Sequence, residues 1–351
     1  MDDQERQSMK CPIPPSDYDR ILLAHGGGGK LTHQLIGKMF YTVLGNEILE
    51  AGHDGAILPA MDGELAFTTD SFVVDPIFFP GGDIGELAVN GTVNDLVCCG
   101  AEPLYISLAF ILEEGFLMEE LWRIVQSVGV AANKAGVTIA TGDTKVVEKG
   151  KGDRIYINTT GIGRIMPGLE VSPARCSDGD VVLINGSVGD HGIAIMSARN
   201  GVELQTPVKS DTVALNEMMM ELFRNGPELH VMRDPTRGGV ASALNEICLS
   251  SHTGITLFES EIPVNESVRG ACEIMGFDPL YIANEGKILV ILPEKEADRA
   301  LSLMRSHPTG TKSRVIGRVA SSHPGLLQME TILGTTRIID MISGEQLPRI
   351  C

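Results

Sequence analysis

The residues of this chain whose type and spacing could do chemistry are a cysteine at position 351, a set of aspartates, and three short motifs rich in glycine or acid. Cys351 is the last residue of the sequence. A prenylation signal needs three further residues after its cysteine, so that use is not expected. The thiol reads either as incidental or, on a mobile tail, as the carrier of an acyl group between two active sites. Asp54, Asp70, Asp83, Asp95 and Asp143 fall at strand ends, turns or a polar helix face and not on a charge-laced surface helix. Singly, each is a cap or turn acid. Together they suit Mg²⁺, which takes carboxylate oxygens and bridges nucleotide phosphates.

Residues 25–30 read HGGGGK. Such a loop offers backbone N–H groups and the start of a helix to an anion. It is not a Walker A motif, because Leu31 stands where that motif needs Ser or Thr, and a flexible turn is the alternative. Residues 234–239, DPTRGG, open a helix. Thr236 is a fair N-cap, and Arg237 followed by two glycines makes an anion seat. Residues 284–287, NEGK, place Glu285 just before a strand, where an isolated carboxylate is ordinarily a turn acid. The other cysteines are Cys11, Cys98, Cys99, Cys176, Cys248 and Cys272. No CxxC pair occurs, which disfavours zinc, and an odd total of seven argues against a disulfide framework.

The elements that must position these residues are legible from periodicity. At 351 residues the chain suits two domains, and 43% hydrophobic with 21% charged residues fits a globular core. Net charge is −18, from 28 basic and 46 acidic side chains, which makes a nucleic-acid partner improbable. The longest apolar run, 106–112, is far short of a membrane span. The start, MDDQERQ, lacks a signal-peptide pattern, which points to the cytoplasm. Residues 1–19, with Pro14 and Pro15, read as a loose leader. Strands are expected at 21–24, 65–69, 104–112, 137–140 and from 155, with helices from 31, over 84–99 and from 121. Asn90 and Asn94 stack one turn apart in the otherwise apolar helix 84–99, beside Asp95, and polar groups so placed need partners. Turn formers at 166–173 mark a boundary. The second half alternates strands at 181–184 and 288–292 with helices near 190–199, 211–224, 237–250, 265–275 and 294–305. The organisation expected is therefore a leader at 1–19, domains at 20–167 and 168–333, and a mobile tail at 334–351.

Read in order, TTDSFVVDPIFFPGGDIG, NGTVNDL, FILEEG, TGDTKVV, GDHG, DPTRGG, NEGK and the final PRIC resemble the HypE family of carbamoyl dehydratases. That family belongs to the superfamily built on the aminoimidazole ribonucleotide synthetase (PurM-like) fold. The resemblance runs from about residue 21 to 351. It implies an α/β (α+β) two-domain fold whose N-terminal domain dimerises through its sheet, with ATP and Mg²⁺ between the domains. By matching motif, Asp54, Asp70, Asp95 and Asp143 would hold metal and phosphates, though His53 stands where relatives often carry a second acid. Asp83, Asn90 and Asn94 would line the same cleft, and Gly142, Asp234 and Arg237 would meet the nucleotide. The reaction implied is dehydration of a thiocarbamate on Cys351 to a thiocyanate, with Glu285 as base and Lys145 orienting the amide or stabilising charge. HypF would be the carbamoyl donor and a HypC–HypD complex the acceptor of the cyano group. The rival readings are a sibling such as selenophosphate synthetase, which the PIPP run after Cys11 fits poorly, and a non-catalytic ATP-binding scaffold.

Overall fold

Alternation between apolar and polar residues over 65–165 builds a four-stranded sheet in the order β1-β6-β4-β5. The computed structural model describes residues 18–201, 207–341 and 349–351. The expected leader, Cys11 included, lies outside the described residues up to residue 17. Strand β1 (Leu65–Phe72) pairs antiparallel with β6 (Ile155–Ile165), which pairs antiparallel with β4 (Ala101–Glu113). The edge strand β5 (Thr138–Val147) runs parallel to β4. A short hairpin, β2 (Phe78–Phe79) and β3 (Gly82–Asp83), stands between β1 and the next helix. Ile106, Leu108, Phe110 and Leu112 of β4, with Ile155 and Ile157 of β6, are buried under the helices. Among the described residues no helix covers the other face of the sheet.

A helical stretch precedes the sheet: α1 (Lys30–Leu35), a π turn at Ile36–Phe40, α2 (Tyr41–Leu44) and α3 (Glu47–Glu50). The covering helices are α4 (Ile84–Cys98) and α5 (Met118–Ala135). The strand expected at 21–24 is instead a 3₁₀ turn, Leu23–His25. The His25 ring accepts the Leu22 N–H at 2.9 Å, and this local bond closes the turn in place of a ladder. The short strand expected at 137–140 continues through the TGDTK segment, because β4 offers ladder partners as far as Glu113.

Beyond the 166–173 turns a seven-stranded sheet forms in the order β13-β12-β9-β11-β7-β10-β8. Its strands are β7 (Asp180–Ile184), β8 (Val231–Arg233), β9 (Gly254–Phe258), β10 (Leu289–Pro293), β11 (Arg314–Ala320), β12 (Leu327–Glu330) and β13 (Thr336–Ile338). Alternate residues of β7 and β10 serve two cores. Val181, Leu183, Val290 and Leu292 pack under α7 (Asn216–Asn225) and α10 (Ala297–Ser306). Val182, Ile184, Leu289 and Ile291 pack under α8 (Gly239–Ser251). Helices α6 (Asp190–Asn200) and α9 (Glu266–Met275) pack together beside the sheet.

Two segments depart from their expected bounds. The helix expected at 211–224 starts only at Asn216, because the Leu215 N–H is taken by Asn94 Oδ1 of the first domain at 2.8 Å. The tail expected from 334 begins inside the fold, since Thr336–Ile338 pairs with β12 and Ile339 is buried. Residues 342–348 of that tail lie outside the described residues.

Candidate functional site

Strand β1 and helix α4 form one wall of a cleft between the domains. Asp70 sits in β1, and Asp95 in the last turn of α4, where the Thr68 hydroxyl donates to its Oδ2 at 2.7 Å. The facing wall comes from the β8–α8 junction, Arg233 to Gly239, and from Glu285. Between them lies a cavity of ≈ 380 Å³ whose lining includes Asp70, Asp95, Asp234, Arg237, Glu285 and Cys351.

Carboxylates outnumber the arginines that meet them here, and burial penalises the charged forms. Burial, then Asp95, pushes Asp234 up to about 7. Burial pushes Glu285 well above the ordinary carboxylate range, with Asp234, Asp211, Asp70 and Asp95 adding to it. Asp70 and Asp95 are also raised, chiefly by burial; Asp95 adds to the rise of Asp70, while Thr68, Arg233 and Arg237 oppose that of Asp95. Glu285 is only 4% exposed, and its Oε1 is buried with no hydrogen-bond partner. An orphaned carboxyl oxygen in a native core signals a missing ligand or a chemical role. Among the described residues no three metal-binding side chains close into a cage. Mg²⁺, however, ordinarily takes one or two carboxylates and completes its shell with water and phosphate. Asp70 and Asp95 fit that use.

Glu285 is held by its backbone. Its N–H and that of Gly286 donate to the two carboxylate oxygens of Asp211, at 3.1 and 3.3 Å. Lys287 Nζ donates to the same carboxylate at 2.7 Å in a buried ion pair, and Asp211 is depressed below its ordinary value, burial opposing and the charge and hydrogen bond of Lys287 prevailing. Gly286 is required here because a Cβ would lie 1.8 Å from the Asp211 carbonyl oxygen. Asn94 Nδ2 donates to the Glu285 carbonyl at 3.3 Å and to the Val213 carbonyl at 3.0 Å, and Asn90 reaches Thr212 at 3.3 Å. The two asparagines thus tie α4 to the second domain. Sequence reasoning missed Asp211, which the expected helix had absorbed as its first residue; its spacing from NEGK carries no local signal.

The last three residues are seated in this cleft, against the expectation of a tail that is mobile to its end. Val73 N–H donates to the Cys351 carbonyl at 3.0 Å and Asp75 N–H to the Arg349 carbonyl at 3.3 Å. Arg349 Nε returns a bond to the Val73 carbonyl at 3.0 Å and its guanidinium pairs with Asp153. Arg199 donates to the Arg349 carbonyl at 2.7 Å. Ile350 is 3% exposed and joins the first domain's core. Burial, then Glu285, push the Cys351 thiol up to about 12, with Arg237 opposing and Asp70 adding. The seated sulfur is a neutral thiol.

The other expected site residues lie elsewhere. Asp83 is the N-cap of α4, accepting from the N–H groups of Gly85 and Glu86 at 2.9 and 3.1 Å. Twelve residues of helix separate it from Asp95, about 18 Å, so it does not line the cleft. Asp143 and Lys145 pair with each other at 3.1 Å on the surface of β5. Asp70, Thr159, Leu108 and Gly142 form one row across the sheet. Three strand spacings of about 4.8 Å therefore put the β5 edge about 14 Å from Asp70. Gly142 permits the close β4–β5 approach, since a Cβ would meet the Leu108 carbonyl oxygen at 2.3 Å. Asp54 is exposed on the loop beyond α3. The expected metal quartet is thus split by strand order. Asp70 and Asp95 share the cleft, whereas Asp143, Lys145 and the neighbours of Asp54 surround a second cavity of ≈ 470 Å³. Gly26 and Gly28 of the glycine loop, with Phe40, Tyr41, Leu44 and Ile139, line that cavity. Apolar and aromatic walls with a glycine loop at the rim suit a purine nucleotide.

Two family models match the chain. The AIR synthase related protein N-terminal domain covers residues 52–165 and the C-terminal domain residues 177–327. The carbamoyl dehydratase HypE of Azotobacter vinelandii is 48% identical over 331 residues, covering 94% of this chain and 97% of the relative. A crystal structure of the hydrogenase maturation protein HypE in complex with ATP superimposes with a TM-score of 0.91 at 49% identity, covering 94% of this chain and 99% of that one. A HypE–HypF complex structure matches with a TM-score of 0.77 at 49% identity, covering 89% of this chain and 99% of that one.

Proposed function

The chain belongs to the AIR synthase related family, as a carbamoyl dehydratase of hydrogenase maturation, and from that premise we propose that it dehydrates a carbamoyl group carried on Cys351 to a thiocyanate. The observation that carries this reading is the unbonded Glu285 Oε1 in the same acidic cavity as the Cys351 thiol. A scaffold that merely bound nucleotide would gain nothing from a buried, unsatisfied carboxyl beside a thiol, and would bear its cost.

When bound, Mg–ATP supplies the phosphoryl group that makes the carbamoyl oxygen a phosphate leaving group. Asp70 and Asp95 are the carboxylates placed to hold Mg²⁺, by the fit argued above. Glu285 Oε1 accepts one of the two amide protons, and the other leaves with the departing phosphate. Burial, then the neighbouring Asp234 and Asp211, raise the Glu285 carboxyl and with it its affinity for a proton, and the charges of Asp70 and Asp95 add a smaller part of that rise. Arg237, which opposes the rise of the Cys351 thiol, orients the sulfur end. Phe72 beside Cys351 and the buried Ile350 keep water from the activated group.

Lys145 and Asp143 reach this chemistry only from a second copy, because within one chain they stand at the far edge of the sheet. The helix-free face supports such a homodimer. Phe67 is 71% exposed there, Leu65 51% and Ile111 43%, with Ile162 and Tyr105 in the row of Phe67. Loading of Cys351 by HypF needs a thiolate and therefore takes place with the residue out of its seat. The cyano group then passes to a HypC–HypD complex. Among the described residues no helix is long and apolar enough to cross a membrane, and we place the work in the cytoplasm. Protein carrying the carbamoyl group and mixed with Mg–ATP is expected to lose the mass of one water from the Cys351 peptide. ATP consumption with no such loss would overturn the reading.

A further inference from the structure

His191, in the GDHG motif, has no part in the chemistry above, yet it is completely buried at the start of α6 and touches the tail. Its Nε2 lies 2.8 Å from the carbonyl oxygen of Ile350, the peptide group that joins Ile350 to Cys351. A carbonyl can only accept, so Nε2 carries the proton and donates. Nδ1, 2.8 Å from Ser210 Oγ, then accepts from that hydroxyl, and Ser210 Oγ in turn accepts the Thr212 N–H at 3.1 Å. The edge-on ring of Phe79, with centroids 5.6 Å apart, fixes the imidazole from the side. Burial lowers the His191 pKa, which keeps this single-donor form at neutral pH.

The segment 210–212 does a second thing. Asp211 grips the backbone of Glu285 and Gly286, and Ser210 is anchored by its own N–H to the Pro80 carbonyl at 2.8 Å. Adjacent residues of one short segment therefore hold the support of the sulfur and the support of the base. We infer that His191 is a positioning residue for the dehydration: by fixing the Ile350–Cys351 peptide to Ser210, it sets the distance between the Cys351 sulfur and the Glu285 carboxyl. This rests on the dehydratase reading given above.

Full-length His191→Gln and His191→Asn separate positioning from mere filling of space. The Gln amide nitrogen can take the place of Nε2 and donate to Ile350, whereas the Asn amide reaches only the Ser210 side. Each variant is loaded with the carbamoyl group, Mg–ATP is added, and loss of water is followed by intact mass. Iodoacetamide labelling of unloaded Cys351 and ATP binding are measured in parallel. Losing a bond to a buried acceptor is worth roughly 5- to 100-fold. His191→Asn is expected to dehydrate slower by about that factor and to label faster by a similar one, with ATP binding unchanged, while His191→Gln stays close to the parent in both. Equal losses in Gln and Asn, or a parental rate in Asn, would overturn the inference. If the parent itself loses no water, the dehydratase reading fails, and labelling alone decides the seat. Fast Asn with slow Gln then supports the His191 contact, and equal rates refute it.

Discussion

Replacing Ile350 by alanine tests how the cleft controls the reactivity of Cys351. Ile350 is 3% exposed in the core of the first domain, so the change removes buried methylenes from the tail's anchor and not from the sheet itself. Such truncations cost about 2–5 kcal/mol, here paid by the seat, which is a weakening of roughly 30- to 3000-fold at about 1.4 kcal/mol per decade. The readout has its own ceiling. Seating raises the thiol from an ordinary 9.0 to about 12, so at pH 8 release can restore at most about a thousandfold more thiolate. Labelling of Cys351 by iodoacetamide at pH 8 is thus expected to rise by roughly 30- to 1000-fold in Ile350→Ala. The sign with pH follows from linkage: the seated form binds the thiol proton more tightly, so docking is at full strength below 9.0 and is lost as pH rises toward about 12. At pH 10 the wild-type seat is weaker by about tenfold. Wild-type labelling should keep climbing beyond pH 10, whereas the variant levels off above its ordinary value. Peptide-resolved mass spectrometry separates Cys351 from Cys176, Cys248 and Cys272, whose thiols burial pushes up to about 11, 12 and 11. Equal rates for the two proteins at pH 8, or a wild-type midpoint at the ordinary thiol value, would refute the reasoning.

Glu285→Gln preserves shape while removing proton acceptance, so carbamoyl loading and ATP binding should persist while water loss slows about 100-fold or more; wild-type dehydration in this variant would return Glu285 to the status of a turn residue. Asp211→Asn leaves the buried Lys287 ammonium without its partner and is expected to cost about 3–5 kcal/mol in denaturant unfolding, together with slower dehydration; an unchanged midpoint would show that the pair carries no stability. Lys145→Ala and Cys351→Ala chains, each expected to be inactive alone, should regain water loss when mixed as dimers, since one intact site then combines Lys145 of one copy with Cys351 of the other. No recovery on mixing would place Lys145 outside the composite site.

Local periodicity carried most of the secondary structure because it reports what each segment buries. The stripe of Val89, Val93 and Leu96 made α4 visible, and the turn formers at 166–173 marked where one sheet ends and the next begins. It failed where a side chain redirected the backbone, as His25 does at Leu22 and Asn94 at Leu215. Motifs singled out Cys351, Glu285, Asp70 and Asp95, which line one cavity in the structure, and the polar pair Asn90 and Asn94 as groups in need of partners, which they have in the second domain. They placed Asp83 in the cleft, where the structure makes it a helix cap.

What the sequence determined by itself is therefore the inventory: two α/β domains, the acids, the glycine loop and the thiol. The tertiary structure decided which of these meet. Asp70 and Asp143 are both strand aspartates in the sequence pattern, yet β1 and β5 are opposite edges of one sheet, and strand order is a property of the whole fold. Asp211 reaches Glu285 across 74 positions, and Arg349 reaches Val73 across 276. Contacts at such separations form because burying Ile350 lowers the free energy of the assembled cleft and because a buried Lys287 or Asp211 would be costly without the other, and no window of neighbouring residues contains either term.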